Sequence, residues 1–259
     1  MKNKLQTEQF LIEYTESNNT DPVFWESHCH AQFEMIAVLE GEVSIMAEGR
    51  CYRLSEHQAV IVPPLLYHTV SADKKGAYRR VTALFDVNAI PVVLREHFSD
   101  KNSELNVMHA REAEELRRIC RLGDTALYGP LAQALMIGLF YRDIEVKHTE
   151  NTAETDVFLQ KIISYIDSHL CERIRLCDLA ELTARSNSSL CHLFEQKMAI
   201  SPKQYILQKK LAFASKLIRD GVPPTEAAVQ IGYENYSNFY RMYVKHLGTE
   251  PSCDKRQNG

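Results

Sequence analysis

DLAELTARSNSSLCHLFEQKMAISP, residues 178–202, returns in altered form as EAAVQIGYENYSNFYRMYVKHLGTEP at residues 226–251. Leu179-Ala180 falls on Ala227-Ala228, Ala184 on Gly232, Leu190 on Phe239, Phe194 on Tyr243 and Pro202 on Pro251. The offset is 48 residues before the turn and 49 after it, so the second turn carries one extra residue. Self-similarity on this scale marks one supersecondary unit used twice. Each copy reads as a helix-turn-helix: a short helix with a small residue at the crossing (Ala180, Ala228), a small residue at the turn (Ala184, Gly232), then a second helix. The second helices open on Ser186-Asn187-Ser188 and Asn235-Tyr236-Ser237, residue types that cap free backbone donors.

Each second helix has two faces. Leu190, Leu193 and Phe194 share an apolar stripe in the first copy, as do Phe239, Met242 and Tyr243 in the second. The opposite face carries Ser188, Cys191 and His192 in the first, and Ser237, Asn238, Arg241 and Lys245 in the second. A helix lying in a DNA major groove needs this division, with hydrogen-bonding side chains near its N-terminus and cations beside phosphates. Arg241 suits a guanine edge, Asn238 an adenine or a phosphate, and His192 with Ser188 weaker contacts; Ser237 suits either a contact or a cap. Lys203, Lys209 and Lys245 are candidates for phosphates or for plain solvation. Between the copies, Ser201 to Gly221 reads as one helix with Ser201 as N-cap, Pro202 at its first position and Gly221 just past its end. Tyr205, Leu211, Ala214, Leu217 and Ile218 form its apolar face. At ~1.5 Å per residue it spans roughly 27 Å, which separates the two second helices by about one DNA turn of ~34 Å once their own offsets are added.

These motifs resemble the DNA-binding domain of the AraC/XylS family of transcription regulators. The resemblance is carried by DLA at Asp178–Ala180, S-x-x-x-L-x-x-x-F from Ser186 to Phe194, SPKQY at Ser201–Tyr205, IGY at Ile231–Tyr233, S-x-F at Ser237–Phe239 and G-x-x-P at Gly248–Pro251. Three positions depart from the family pattern. Ala199 stands where glycine is usual, His192 occupies a frequent arginine position, and the tail SCDKRQ lacks the usual aromatic-arginine pair.

Composition sets the wider frame. The 259 residues are 45% hydrophobic and 25% charged, ordinary values for a globular chain with a sizeable core. The N-terminal stretch has no apolar run suited to a signal peptide, and no stretch approaches ~18 uninterrupted apolar residues, so neither export nor a membrane span is expected. Seven cysteines, an odd number without a C-x-x-C pair, read as reduced thiols of the cytoplasm. The net charge of −4 is unevenly spread: from Asp156 onward 14 Lys and Arg face 11 Asp and Glu, while the remainder has 16 against 23. The asymmetry points toward a polyanionic partner for the C-terminal part, but weakly; the repeat carries that argument.

Residues 8 to 86 read as β. FEMIAVL (33–39), EVSIMA (42–47), AVIVPP (59–64) and YRRVTALFDV (78–87) are separated by turn-like segments, which favours a small sandwich or barrel. His28, His30, Glu34 and Gly41 have the spacing H-x-H-x3-E-x6-G, and P-P-L-L-Y-H ends at His68. This pattern resembles the cupin β-barrel that AraC-type regulators often carry as a sensor, with a degenerate second half around Glu56-His57-Gln58. On an extended strand His28, His30 and Glu34 would share a face, and His68 from a neighbouring strand would complete a nitrogen/oxygen set for a divalent transition metal. The same groups equally suit the lining of a pocket for a small molecule such as a sugar, without metal. Trp25, Phe33 and Tyr67 fit either core or ligand stacking.

Residues 103–122 and 129–146 read as two helices. Leu105, Met108, Leu116, Ile119 and Cys120 form the stripe of the first, and the second is apolar nearly all round, which calls for burial against its own barrel or in a dimer. The polar segment 148–155 reads as a linker. The expectation is therefore an α+β chain of two domains: a cupin-like β-barrel (1–100) with two following helices and linker (101–150), and an all-α domain of two helix-turn-helix motifs joined by a long helix (156–256). The function implied is that of a regulator, an activator by resemblance, that binds double-stranded DNA and a small effector, contacts RNA polymerase, assembles as a homodimer, and needs neither membrane nor cofactor. It is not read as an enzyme. Two alternatives stay open: a metal-dependent cupin enzyme fused to a DNA-binding tail, and a dimeric DNA-binding protein that senses nothing.

Overall fold

The computed structural model describes residues 3–19, 23–24, 28–72, 76–99, 105–145 and 156–255. Trp25 and the linker at 148–155 lie outside them. The chain forms two compact units, one built mainly on residues 1–153 and the other mainly on 154–259.

The first unit is a pair of antiparallel sheets. In chain order the strands are β1 (Asn3–Gln6), β2 (Phe10–Asn19), β3 (Val23–Phe24), β4 (Phe33–Glu40) and β5 (Val43–Ala47). They continue with β6 (Arg50–Leu54), β7 (Gln58–Val62), β8 (His68–Ala72), β9 (Gly76–Phe85) and β10 (Met108–His109). One sheet has the order β1-β2-β9-β4-β7-β10 and the other β3-β8-β5-β6. Strand β4 runs between β9 (Phe33 opposite Phe85) and β7 (Glu34 opposite Val62), so both its edges are paired.

Because side chains alternate along a strand, β4 feeds two cores. Its odd positions, Phe33, Met35, Ala37 and Leu39, join Ile12, Val81 and Phe85 beneath helices α1 (Val92–Ser99), α2 (Glu112–Leu122) and α3 (Thr125–Glu145). Phe140 of α3 meets Phe33, Phe98 and Phe85 edge-on, with ring centroids 5.2, 5.3 and 5.6 Å apart. Its even positions, Ile36 and Val38, join Ile45, Leu54, Val60 and Val70 of both sheets. Glu34 belongs to this even set. The alternation therefore turns a carboxylate into the space that is otherwise filled by aliphatic side chains.

The helical reading of residues 103–122 needs correction. Among its described residues only Glu112–Leu122 is helical; Met108 and His109 pair with Ala59 and Gln58 as a sheet edge. Leu105 and Met108 are buried as the stripe requires, but in two different cores. Helix α3 starts at Thr125, ahead of the expected residue 129. It is not buried all round either, since Leu127, Leu131 and Tyr141 are 65%, 44% and 51% exposed.

The described residues 156–255 of the second unit build their regular structure from helices alone: α4 (Val157–Ser168), α5 (Leu176–Leu182), α6 (Asn187–Met198), α7 (Pro202–Arg219), α8 (Pro224–Gln230), α9 (Tyr236–Leu247) and α10 (Pro251–Lys255). The repeat is visible bond by bond. Arg185 N–H donates to Ala180 O and Tyr233 N–H to Ala228 O, both at 2.9 Å. Ser186 accepts from Ser189 N–H and Asn235 from Asn238 N–H, both at 3.2 Å. Ser201 caps α7 in a reciprocal box with Gln204, and Pro202 follows it at the first helical position. Leu211, Ala214 and Ile218 of α7 form a core with Ala227, Ala228, Phe239 and Tyr243 of the second copy.

Both copies close their second helix on a left-handed residue, at φ 53° in Ala199 and φ 69° in Gly248. A β-carbon makes that conformation costly, and glycine adopts it freely. Ala199→Gly should therefore raise stability by about 1 kcal/mol, read as a higher midpoint in chemical denaturation. An unchanged or lowered midpoint would mean that Ala199 carries no strain.

Candidate nucleic-acid interface and ligand site

Burial sorts the two second helices as their sequences require. Leu190 and Phe194, with Phe239 and Tyr243, are fully buried, and Leu193 and Met242 partly so. Ser188 and His192 on α6 are exposed and Cys191 is half-buried, while Ser237, Asn238, Arg241 and Lys245 on α9 are all exposed. Asn235 occupies the N-cap, which leaves the Ser237 hydroxyl outside the capping role. The Arg241 guanidinium donates to Asn238 Oδ1 one turn earlier, and this holds a flexible side chain along the exposed face. The sequence reading passed over Tyr236 and Tyr240, 38% and 36% exposed on the same helix. Their i, i+4 spacing on the polar face was the available signal, and a hydrogen bond to Glu250 pushes the Tyr240 phenol up.

Lys203 is exposed, as a phosphate contact requires. Lys209 is not. Its side chain is only 2% exposed and its Nζ lies 2.7 Å from Asp167 Oδ1 of α4, so it is a structural ion pair and not a DNA contact. Neighbouring Lys210 donates to Glu172 O at 2.6 Å and Ile231 O at 2.9 Å, tying the exit of α4 to the end of α8. Burial pulls its ammonium below the ordinary lysine range.

Helix α10 anchors α9 from behind. Asp254 Oδ2 accepts from Ser215 Oγ at 2.7 Å and from the Tyr243 hydroxyl, and Oδ1 pairs with the Arg219 guanidinium. The Asp254 and Arg219 side chains are 3% and 8% exposed. Burial pushes the Tyr243 phenol up, so it stays a donor to the carboxylate at any ordinary pH. The tail that departs from the family pattern thus contributes a buried carboxylate.

Of the four polar residues expected to converge, Glu34 and His68 belong to the first unit, while His28 and His30 group with the second. The shared strand expected for them is not formed. A bend at residues 31–32 precedes β4, so His28 and His30 do not share a continuous strand with Glu34. His68 opens β8 in the other sheet, so it reaches Glu34 across the inter-sheet space and not from an adjacent strand. Its Nε2 is 2.9 Å from Glu34 Oε2, and its Nδ1 is 2.9 Å from Leu66 O. Cys29 between the two histidines is buried, which pushes its thiol up to about 12 and keeps it protonated. Phe33 and Tyr67 are both 3% exposed, core side chains by burial.

Residues 9–140, more than half of the chain, match the AraC-like ligand binding domain, and residues 179–257 match a helix-turn-helix domain. The chain belongs to the AraC family of transcriptional regulators. Its N-terminal region is a ligand-binding domain and its C-terminal region a helix-turn-helix DNA-binding domain. YdiP of Escherichia coli K12, an uncharacterized HTH-type transcriptional regulator, is 23% identical over 92% of this chain and 84% of its own length. The XylDLEGF operon transcriptional activator of Pseudomonas putida is 31% identical over 38% of this chain and 32% of its own. Among solved structures, apo ToxT of Vibrio cholerae covers 99% of this chain and all of its own at 14% identity, with a TM-score of 0.46. Among the described residues no helix of this AraC-family protein is long and apolar enough to cross a membrane.

Proposed function

We propose that this AraC-family protein is a cytoplasmic transcription activator whose two recognition helices, α6 and α9, enter successive major grooves of one operator. The observation that carries the reading is the duplicated polar face, exposed at Ser188 and His192 with Cys191 half-buried on α6, and exposed at Ser237, Asn238, Arg241 and Lys245 on α9. The two are joined by the 18-residue helix α7. A rigid spacer of that length fixes the separation of two groove contacts on the scale of one DNA turn. Residues 1–100 serve as sensor, 101–150 as packing and dimerisation segment, and 156–256 as DNA-binding domain. Glu34 and His68, which belong to the first unit, are assigned to sensing. Activation through contact with RNA polymerase is supported by the family and by the likeness of 38% of the chain to an operon activator.

Assembly as a homodimer is favoured by one feature of α3. Leu127, Leu131, Ala134, Gly138 and Tyr141 are all exposed, at spacings of 4, 3, 4 and 3. That spacing is a heptad seam, and the small residues at its centre let a second helix approach closely. The test is selection of genomic fragments by the purified full chain. The expected product is a motif of two blocks about one helical turn apart, occurring as paired sites because a symmetric dimer presents the pattern twice. Recovery of a single short block would refute the double-groove reading, and unpaired sites would refute the dimer.

A further inference from the structure

We infer that Tyr236 determines sequence specificity, its ring covering the C5-methyl group of a thymine in the base block read by α9. This assignment rests on reading α9 as a recognition helix, and it adds a base that the polar side chains leave unread. Tyr236 is the first residue of α9, directly after the N-cap Asn235. Recognition helices reach base edges with their N-terminal residues, so the ring stands at the end of α9 that enters the groove. It is 38% exposed, and Ser237 and Asn238 beside it are exposed as well.

The ring is held in place from behind. Its centroid lies 5.7 Å from that of Phe239 and 6.4 Å from that of Tyr240. Phe239 is fully buried and also meets Tyr233, with centroids 5.7 Å apart, so it forms a fixed backing. Tyr240 one turn later differs from Tyr236, because its hydroxyl is engaged by Glu250 and the residue is tied into the fold. Tyr236 thus presents a supported aromatic surface, and a tyrosine with two side-chain torsions gives up little entropy when something covers it. Thymine is the base that calls for such a surface. Its major-groove edge carries one acceptor and a methyl group, and the methyl is recognised by apolar contact. Arg241, Asn238 and Ser237 offer donors and acceptors, which suit guanine and adenine and leave a methyl uncovered. Tyr236 and Arg241 are five positions apart, ~7.5 Å along the helix, so the thymine falls within about two base steps of the guanine.

The experiment uses the full chain and the operator it selects, with each thymine replaced in turn by deoxyuridine. The replacement removes one methyl group and leaves every hydrogen-bonding group of the base in place. The expected result is a position at which it weakens binding by about 4-fold, the worth of one buried methyl group. In Tyr236→Ala the same replacement should change nothing, because the partner of the methyl is gone. Tyr236→Phe keeps the ring and should respond as the parent does. Since the change is made in the DNA, the parent chain gives a reading whatever the stability of the variants. No methyl-dependent position, or one whose effect persists in Tyr236→Ala, overturns the assignment. Equal losses of affinity in Tyr236→Phe and Tyr236→Ala also overturn it, and move the contact to the hydroxyl and a phosphate. A two-block operator without a methyl-dependent position upholds the double-groove reading and removes the thymine contact. A single block whose methyl dependence vanishes in Tyr236→Ala does the reverse.

Discussion

Asp254→Ala is expected to destabilise the helical domain by about 3–5 kcal/mol, because it strips the counter-charge from a guanidinium that cannot reach water. Arg219 is 8% exposed, and Ser215 and Tyr243 direct their hydroxyls at the same carboxylate. Removing the acceptor takes a charged partner from Arg219 and the carboxylate from two hydroxyl donors together, and each buried polar bond left unmade costs more than a made bond contributes. For a unit of about 100 residues such a loss lowers the thermal midpoint by ~12 °C or more. Helical ellipticity of the full chain during heating measures it. Asp254→Asn keeps an acceptor without the charge and should fall between the two. Ser252→Ala, one turn position away and half-buried, should leave the midpoint within about 0.5 kcal/mol. A midpoint for Asp254→Ala that matches Ser252→Ala would show that the tail does not anchor α9.

The consequence reaches function because Tyr243 lies on the buried stripe of α9, opposite Arg241. Loosening Tyr243 loosens the face that presents the DNA contacts. Binding should therefore weaken in Asp254→Ala even at temperatures where the domain remains folded.

How much of this could be read from the chain depends on whether the deciding partner is near in sequence. The helix-turn-helix pair was legible because its signals are local. The capping serines and asparagine, the left-handed turn residues and the apolar stripes all act within a few positions, and duplication at a fixed offset tests each against its twin. Residues 103–122 were misread because Leu105, Met108, Leu116 and Ile119 satisfy helical spacing, yet the pairing of Met108 with Ala59 decides for a strand, and that partner is distant. Helix α4 was passed over although Asp156 caps it through two backbone donors. Lys209 looked like any basic residue on a helix; only its packing beside Asp167 removes it from the DNA surface. Of the polar residues singled out in the β-region, Glu34 and His68 meet within the first unit. The bend before β4 and the cross-sheet reach of His68 are products of tertiary structure that alternation along one strand cannot supply.

Arg241→Ala is expected to weaken binding to the selected operator by ~1–3 kcal/mol, roughly 5- to 150-fold, with the fold intact. The residue is exposed, and its one intrahelical partner, Asn238, is exposed as well, so little stability depends on it. What it offers DNA is a planar fork of donors. A fork that meets a guanine edge makes two bonds at fixed angles, and a lysine in its place makes one. Arg241→Lys should therefore lose most of what Arg241→Ala loses if the contact is to a base, and little if it is to a phosphate. Salt dependence gives an independent reading. Loss of a phosphate contact lowers the slope of log affinity against log salt by about 1 and weakens operator and scrambled duplex alike. Loss of a base contact leaves that slope nearly unchanged and narrows the gap between the two duplexes. Equal weakening on both duplexes with a reduced slope would move Arg241 from base recognition to backbone positioning. Sequence discrimination by α9 would then fall to Asn238, with Ser237 and the exposed ring of Tyr236 beside it.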